Sequence, residues 1–192
     1  MSEYFSYFPT TKHDLTNIGQ KVTLTNILRR FIVRSDVTER TDVFYDYDIQ
    51  SGDRPDTIAE KYYGDADLAW LVLHFNNITD PVFGWALFDE DFINYLKGKY
   101  GSVAIAQSTV HEYRQVINEK EVKFDGTIIP ERYVVVDLTT YITLAPTERR
   151  TIYKYDYEVE QNDARRKIRI LDKRFLDKVL DEVQTVLKNG IV

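Results

Sequence analysis

The chain has 192 residues, 43% of them apolar and 14% aromatic, and a formal net charge of −6. That is enough apolar mass for one good core or two small domains, while the acidic balance argues against DNA or RNA as a main partner, because phosphate binding calls for clustered Lys and Arg. The lack of cysteine excludes disulfides, thiolate metal sites and thiol catalysis.

The first fourteen residues, MSEYFSYFPTTKHD, offer neither a basic start nor an apolar stretch of signal-peptide length, so export by that route is not expected. Tyr4, Phe5, Tyr7 and Phe8 form an aromatic arm, followed by a polar stretch and VTLTNILRRFIVRSD, residues 22–36. Two fates are open to these rings. They fold back on the core, or they insert into a partner, since aromatic side chains are enriched among interface anchors.

From Tyr45 the pattern becomes regular. Tyr45, Tyr47 and Ile49 alternate with Asp46, Asp48 and Gln50, the period of a half-buried strand. Ser51-Gly52-Asp53 turns the chain, Asp53 is placed to cap a helix with Pro55 in its first turn, and Gly64 stops that helix. Asp65 or Asp67 then caps LAWLVLHFNN, a helix apolar nearly all round and hence the expected heart of the core. Its run from Leu68 to Phe75 falls well short of the roughly 20 residues a membrane helix needs. After the turn residues Asn76, Asn77, Asp80 and Pro81, a helix is expected near 89–97, capped by Asp89 and striped by Phe92, Ile93, Leu96 and Tyr100.

Beyond Gly101 the texture turns strand-like in VHEYRQVI, KEVKF, RYVVVDL and TIYKYDYEVE, with a hairpin dipeptide at Asp125-Gly126. EQNDAR reads as a turn into KIRIL, and an amphipathic helix from Lys173 to Asn189 closes the chain on Leu176, Val179, Leu180, Val183 and Leu187. The expected fold class is α+β, divided as 1–44, an extended arm and interaction segment, 45–101, and 102–192, a β-rich region closed by a helix.

Chemistry is sparse. His13, His74 and His111 are too far apart for a metal set, and Asp46, Asp48, Gln50 and Asp53 fail as a calcium loop because Ser51 and Thr57 stand where its glycine and bidentate glutamate belong. Asp89, Glu90 and Asp91 are accounted for by a helix start. No phosphate loop, nucleophile elbow or zinc-protease helix occurs. The basic run RRKIRILDKR, residues 165–174, reads as a charged strand face or a contact for an acidic partner surface. Neither an enzyme nor a cofactor is expected, and a binding or structural role follows by elimination.

The order strand, SGD turn, PDTIAEKYYGD helix, buried helix and NN-I-DP loop resembles a LysM domain, a small βααβ module that generally binds N-acetylglucosamine-containing glycans. That resemblance implies contacts from Gly52, Asp53 and Arg54 and from Asn77, Ile78 and Thr79. Where LysM domains turn into a short second strand, this chain runs through Trp85-Ala86-Leu87 into a helix. A more particular likeness covers most of the chain. The YFP arm, TNILRRF, GDRPDTIAEKYYGDADLAWLVLHFNNITDP, GWALFDEDFINYLKGKYG and YKYDYEVEQNDARRKIRILDKRFL, in that order, resemble the gene-fifty-three family of baseplate wedge subunits in T-even-type contractile-tailed bacteriophages. Family members often have Trp-Pro-Leu at Trp85-Ala86-Leu87. The resemblance implies a structural clamp in the virion tail, assembled in the host cytoplasm, that joins wedges to one another and to the hub of a sixfold baseplate. Its partners would be wedge proteins and hub proteins, with no nucleic acid or membrane, and its contacts would include Tyr4, Phe5, Tyr7, Phe8 and Trp85 besides the two loops. The arm is then expected to be dispensable for folding but needed for incorporation. The alternative is a LysM-type module binding peptidoglycan or chitin.

Overall fold

A computed structural model of the chain describes residues 4–15, 19–32 and 40–189, so part of the segment 22–36 lies outside the described residues. A 3-10 turn, Tyr4–Tyr7, leads into a hairpin of β1 (Thr10–Asp14) and β2 (Lys21–Thr25). Strand β3 (Phe44–Asp48) precedes helix α1 (Pro55–Tyr63), which ends at Gly64 in the left-handed region at φ 82°. A 3-10 turn capped by Asp65 runs into α2 (Ala69–Phe75). Helices α3 (Asp89–Tyr100) and α4 (Val103–Ser108) follow, the second capped by the Ser102 hydroxyl. Then come β4 (Val110–Asn118), a small hairpin of β5 (Glu121–Val122) and β6 (Ile128–Ile129), β7 (Arg132–Val136), α5 (Leu138–Thr143) and β8 (Arg149–Tyr153). Helix α6 (Lys154–Arg166), strand β9 (Lys167–Leu171) and helix α7 (Leu176–Asn189) complete the chain. The fold is mixed helix and strand, as expected of an α+β protein. None of the described helices is long and apolar enough to cross a membrane.

Two compact units result, one of residues 1–86 and 165–192, the other of Leu87–Ala164. The textural boundaries near 44 and 101 mark the starts and ends of elements, whereas the units divide elsewhere because the carboxy-terminal strand belongs with the first unit. In that unit β9 pairs antiparallel with β3 from Phe44↔Leu171 to Asp48↔Lys167, and bonds from Ile49 N to Arg166 O and from Asp172 N to Val43 O extend the ladder at 2.9 and 2.8 Å. Ile58 and Ala59 of α1, Leu71, Val72 and Phe75 of α2, and Ile168, Ile170 and Leu171 of β9 are all buried. Each large apolar side chain so placed contributes roughly 1.5–3 kcal/mol before ordering costs.

In the second unit β4 lies between β7 and β8. Three helices differ from the sequence reading: α4 and α5 stand where only strand-like texture was expected, and α6 replaces a strand end and a turn. TIYKYDYEVE and EQNDAR, expected as strand and turn, are β8 followed by the helix α6 from Lys154. The buried positions on α6 are Glu158 and Asn162, polar residues that a count of apolar periodicity cannot register. Asn162 Nδ2 donates to Leu87 O and its Oδ1 accepts from Leu87 N, both at 2.8 Å. Glu158 accepts from Tyr100 Oη at 2.6 Å, Lys99 Nζ at 2.7 Å and Tyr95 Oη at 3.0 Å. Burial pulls the Glu158 carboxyl upward, but these three donors more than offset it and hold it below its ordinary value. Arg114, also buried, is gripped by Glu112 and, bidentately, by Glu160 at 2.8–2.9 Å, with its guanidinium over the Tyr133 ring. A buried charge survives only with such partners.

Candidate functional site

The SGD turn is locked from three sides. Gly52 takes the left-handed conformation at φ 88°, and Asp53 N donates to Gln50 O at 3.0 Å. Asp53 does not cap α1 as expected. Pro55 starts the helix one residue later, so Arg54 takes the N-cap position and its amide is received by the Thr57 hydroxyl at 2.9 Å. The Asp53 carboxylate turns back instead, accepting from Gln50 N at 2.8 Å and Tyr47 Oη at 2.7 Å. Burial, with the Asp53 charge beside it, pushes the Tyr47 phenol up to about 12. Asp89 is likewise the first residue of α3 rather than its cap, which is Phe88.

The loop after α2 closes that helix. Asn77 adopts φ 53°, its amide donates to His74 O, and Ile78 N donates to Leu73 O. Asp80 Oδ1 then receives Val82 N and Phe83 N, and Gly84 N returns to Asp80 O at 2.8 Å. A Cβ on Gly84 would lie 2.5 Å from that carbonyl, so the turn demands glycine. The turn delivers Trp85 into the core, where its Nε1 donates to Asp53 O at 3.0 Å. Trp85 therefore ties the segment after the second loop to the first loop. Arg54, Asn77 and Thr79 face solvent, and Arg54 pairs with Asp56, an exposed pair of small worth.

The arm takes the first of its two fates. Tyr7 and Phe8 are buried with Val183 and Leu187 of α7, and Tyr4, Phe31, Trp70, Val179 and Leu180 pack around them. The Tyr4 ring stands 5.0 Å from Trp70, and Phe31 lies 4.2 Å from His74, whose imidazole burial pushes down. Only Phe5 remains exposed, at 60%. The arm is thus part of the core, which corrects the expectation that folding can dispense with it. Among the described residues, no hydrogen bond or ring contact joins Tyr4, Phe5, Tyr7 or Phe8 to the two loops.

The basic run is likewise answered within the chain. Lys167 and Arg169 stand opposite Asp48 and Asp46 in the β3–β9 register, and Arg174 binds Asp172 at 2.6 Å. The Arg174 side chain, its amide and the Tyr45 hydroxyl hold Asp172 well below the usual carboxylate range. A cleft of about 460 Å³ beside this sheet has walls of both signs, from Asp46, Asp48, Lys167 and Arg169. At its margin Asn76, read from sequence as a turn residue, donates to Arg169 O and accepts from Arg169 N, both at 2.8 Å. No group of three or more metal-ligating side chains occurs among the described residues.

Sequence reasoning missed the apolar surface of the second unit. Phe124, at the tip of the β5–β6 hairpin, is exposed, as are Ile117, Tyr133, Val134 and Val135. The signal was present in RYVVV, an apolar run with no solvent face.

Around the two loops and the arm, the polar and aromatic side chains described above are largely engaged in bonds within the chain, and the exposed apolar strands lie in the second unit. A family model described as Base plate wedge protein 53 matches residues 5–186, and the chain belongs to that family of structural components of the phage tail baseplate. It is similar to Baseplate wedge protein gp53 of Enterobacteria phage T4, at 23% identity over 197 residues, covering 97% of this chain and 96% of that protein. Neither match supports the glycan-binding alternative.

Proposed function

We propose that this wedge component acts as a clamp, joining wedges to one another and to the hub of a sixfold baseplate assembled in the host cytoplasm. The observation that carries the reading is apolar exposure on each unit: Phe5, Val82 and Phe83 on the first, Phe124 and Val134 on the second. A chain with two such surfaces can hold two neighbours. Phe5, Arg54, Asn77 and Thr79 are the contact candidates of the first unit, while Tyr4, Tyr7, Phe8 and Trp85 hold the arm and loops in place. Gly52, Asp53 and Ile78 serve as the frame of those loops. The order β3, α1, α2, β9 supports reading the first unit as a LysM-like scaffold whose second strand comes from the far end of the chain. Its loops are used for protein rather than glycan, in keeping with Trp85 reaching the Asp53 carbonyl.

The test is reconstitution of wedges from purified baseplate proteins with and without this chain, read by sedimentation and electron microscopy. Joined wedges and stoichiometric co-sedimentation are expected only when the chain is present. Equal ring yield without it would sink the clamp, and retention on insoluble peptidoglycan in its place would restore the glycan reading.

A further inference from the structure

We propose that a groove between the arm and α7 receives an arginine side chain of another baseplate protein; the proposal rests on the baseplate reading above. Ser6 and Tyr7 of the arm and Asp177, Leu180, Asp181 and Gln184 of α7 line a groove of about 450 Å³, all within the first unit. Asp177 and Asp181 stand one turn apart on one face of α7, a like-charge spacing that destabilises a helix unless a positive group answers it. Among the described residues neither carboxylate has an ion pair or a hydrogen bond, whereas Lys178 pairs with Glu182. Asp177 lies in the first turn, where the helix dipole favours an acid, but Asp181 lies beyond it.

A second group in the groove also lacks a partner. Tyr7 is 8% exposed, yet its hydroxyl makes no hydrogen bond among the described residues and is not sealed from solvent. A buried phenol is ordinarily partnered. Because Tyr7 lines the groove, its hydroxyl opens there, beside the two unanswered carboxylates. The occupant must therefore bring positive charge and hydrogen-bond donors. A hard divalent ion takes about six or more oxygen ligands, and no group of three or more metal-ligating side chains occurs among the described residues. A guanidinium suits the groove better than an ammonium. It has donors for both carboxylates and for the Tyr7 oxygen, and its weakly hydrated plane matches the apolar lining of Leu180 and the Tyr7 ring. Phe5, next to Ser6 in the same 3-10 turn, is 60% exposed. A free cation leaves that ring in water, whereas an arginine on a polypeptide brings neighbours that cover it, and arginine is enriched at protein interfaces.

The isolated full chain is titrated first with N-acetylarginine amide and followed by NMR. Resonances of Tyr7, Asp181 and Gln184 should shift at millimolar probe in the native chain, and stay in place in the double variant Asp177→Asn with Asp181→Asn. No shift, or a stronger response to spermidine, would overturn the assignment to arginine. Wedges reconstituted without the chain then receive the double variant or Tyr7→Phe, which keeps the packed ring. Both should hold their unfolding midpoints within about 2 °C of the native value. They should bind wedges about tenfold and about fivefold more weakly, respectively. Native-strength binding by either would overturn the proposal. Because the chain has no cysteine, Thr185→Cys, exposed one turn beyond Asp181, carries a single photo-crosslinker. In wedges it should capture an arginine-bearing segment of another baseplate protein; capture of a second copy, or of this chain itself, would overturn that choice of occupant. A native chain that never enters wedges would overturn the baseplate reading, an outcome separate from native-strength entry by the variants.

Discussion

Two phenylalanines three residues apart should behave oppositely when truncated. Phe8 is 8% exposed, lies in the cluster with Tyr7, Val183 and Leu187, and has its ring 5.1 Å from that of Tyr4. Removing a buried phenylalanine costs about 3–5 kcal/mol, and an arm near the chain start can partly collapse, which puts Phe8→Ala near about 3 kcal/mol. At about 2–4 °C per kcal/mol for a chain of this size, the unfolding midpoint should fall by about 6–12 °C. Phe5, 60% exposed, should change stability by less than about 0.5 kcal/mol when truncated, while weakening incorporation into wedges. Circular dichroism gives the midpoint, and tryptophan fluorescence reports the docking of the arm, because Trp70 lies against Tyr4. A Phe8→Ala midpoint within about 1 °C of the native value would refute the packed arm. Equal destabilisation by both variants would refute the assignment of Phe5 to a partner.

Asn76→Ala should cost about 2 kcal/mol, since it strips both bonds from the Arg169 backbone beside a cleft that lets water in; an unchanged urea midpoint would show that the pair adds nothing. Glu158→Gln should cost about 1–3 kcal/mol at neutral pH, the lower part of the range for a broken buried pair because Lys99 is half exposed. The sign follows from the lowered carboxyl: its contribution is full above the ordinary value of 4.5 and fades as pH falls through the lower folded value. The gap between native and variant midpoints should therefore narrow in acid, and a constant gap from pH 7 to about pH 3 would exclude the ionised carboxylate as its source.

What the sequence determined alone was local. Alternation at 45–49, proline at 55, glycine at 64 and the stripe from Leu176 to Leu187 identify a strand, a helix start, a helix stop and a buried helix face, because each depends on neighbours a few residues away. The order of those motifs also carried the family likeness. Tertiary structure decided the rest. Nothing near β3 announces that its partner is β9, since strand pairing joins positions far apart in the chain. Helix α6 was hidden because Glu158 and Asn162 are buried by virtue of what Lys99, Tyr95, Tyr100 and Leu87 supply to them. Phe8 and Phe5 are the same residue type in sequence, and only the position of α7 separates the buried ring from the exposed one. RYVVV reads as a strand from its own residues, and the topology alone shows it at the margin of its sheet, with β4 as its paired neighbour among the described residues.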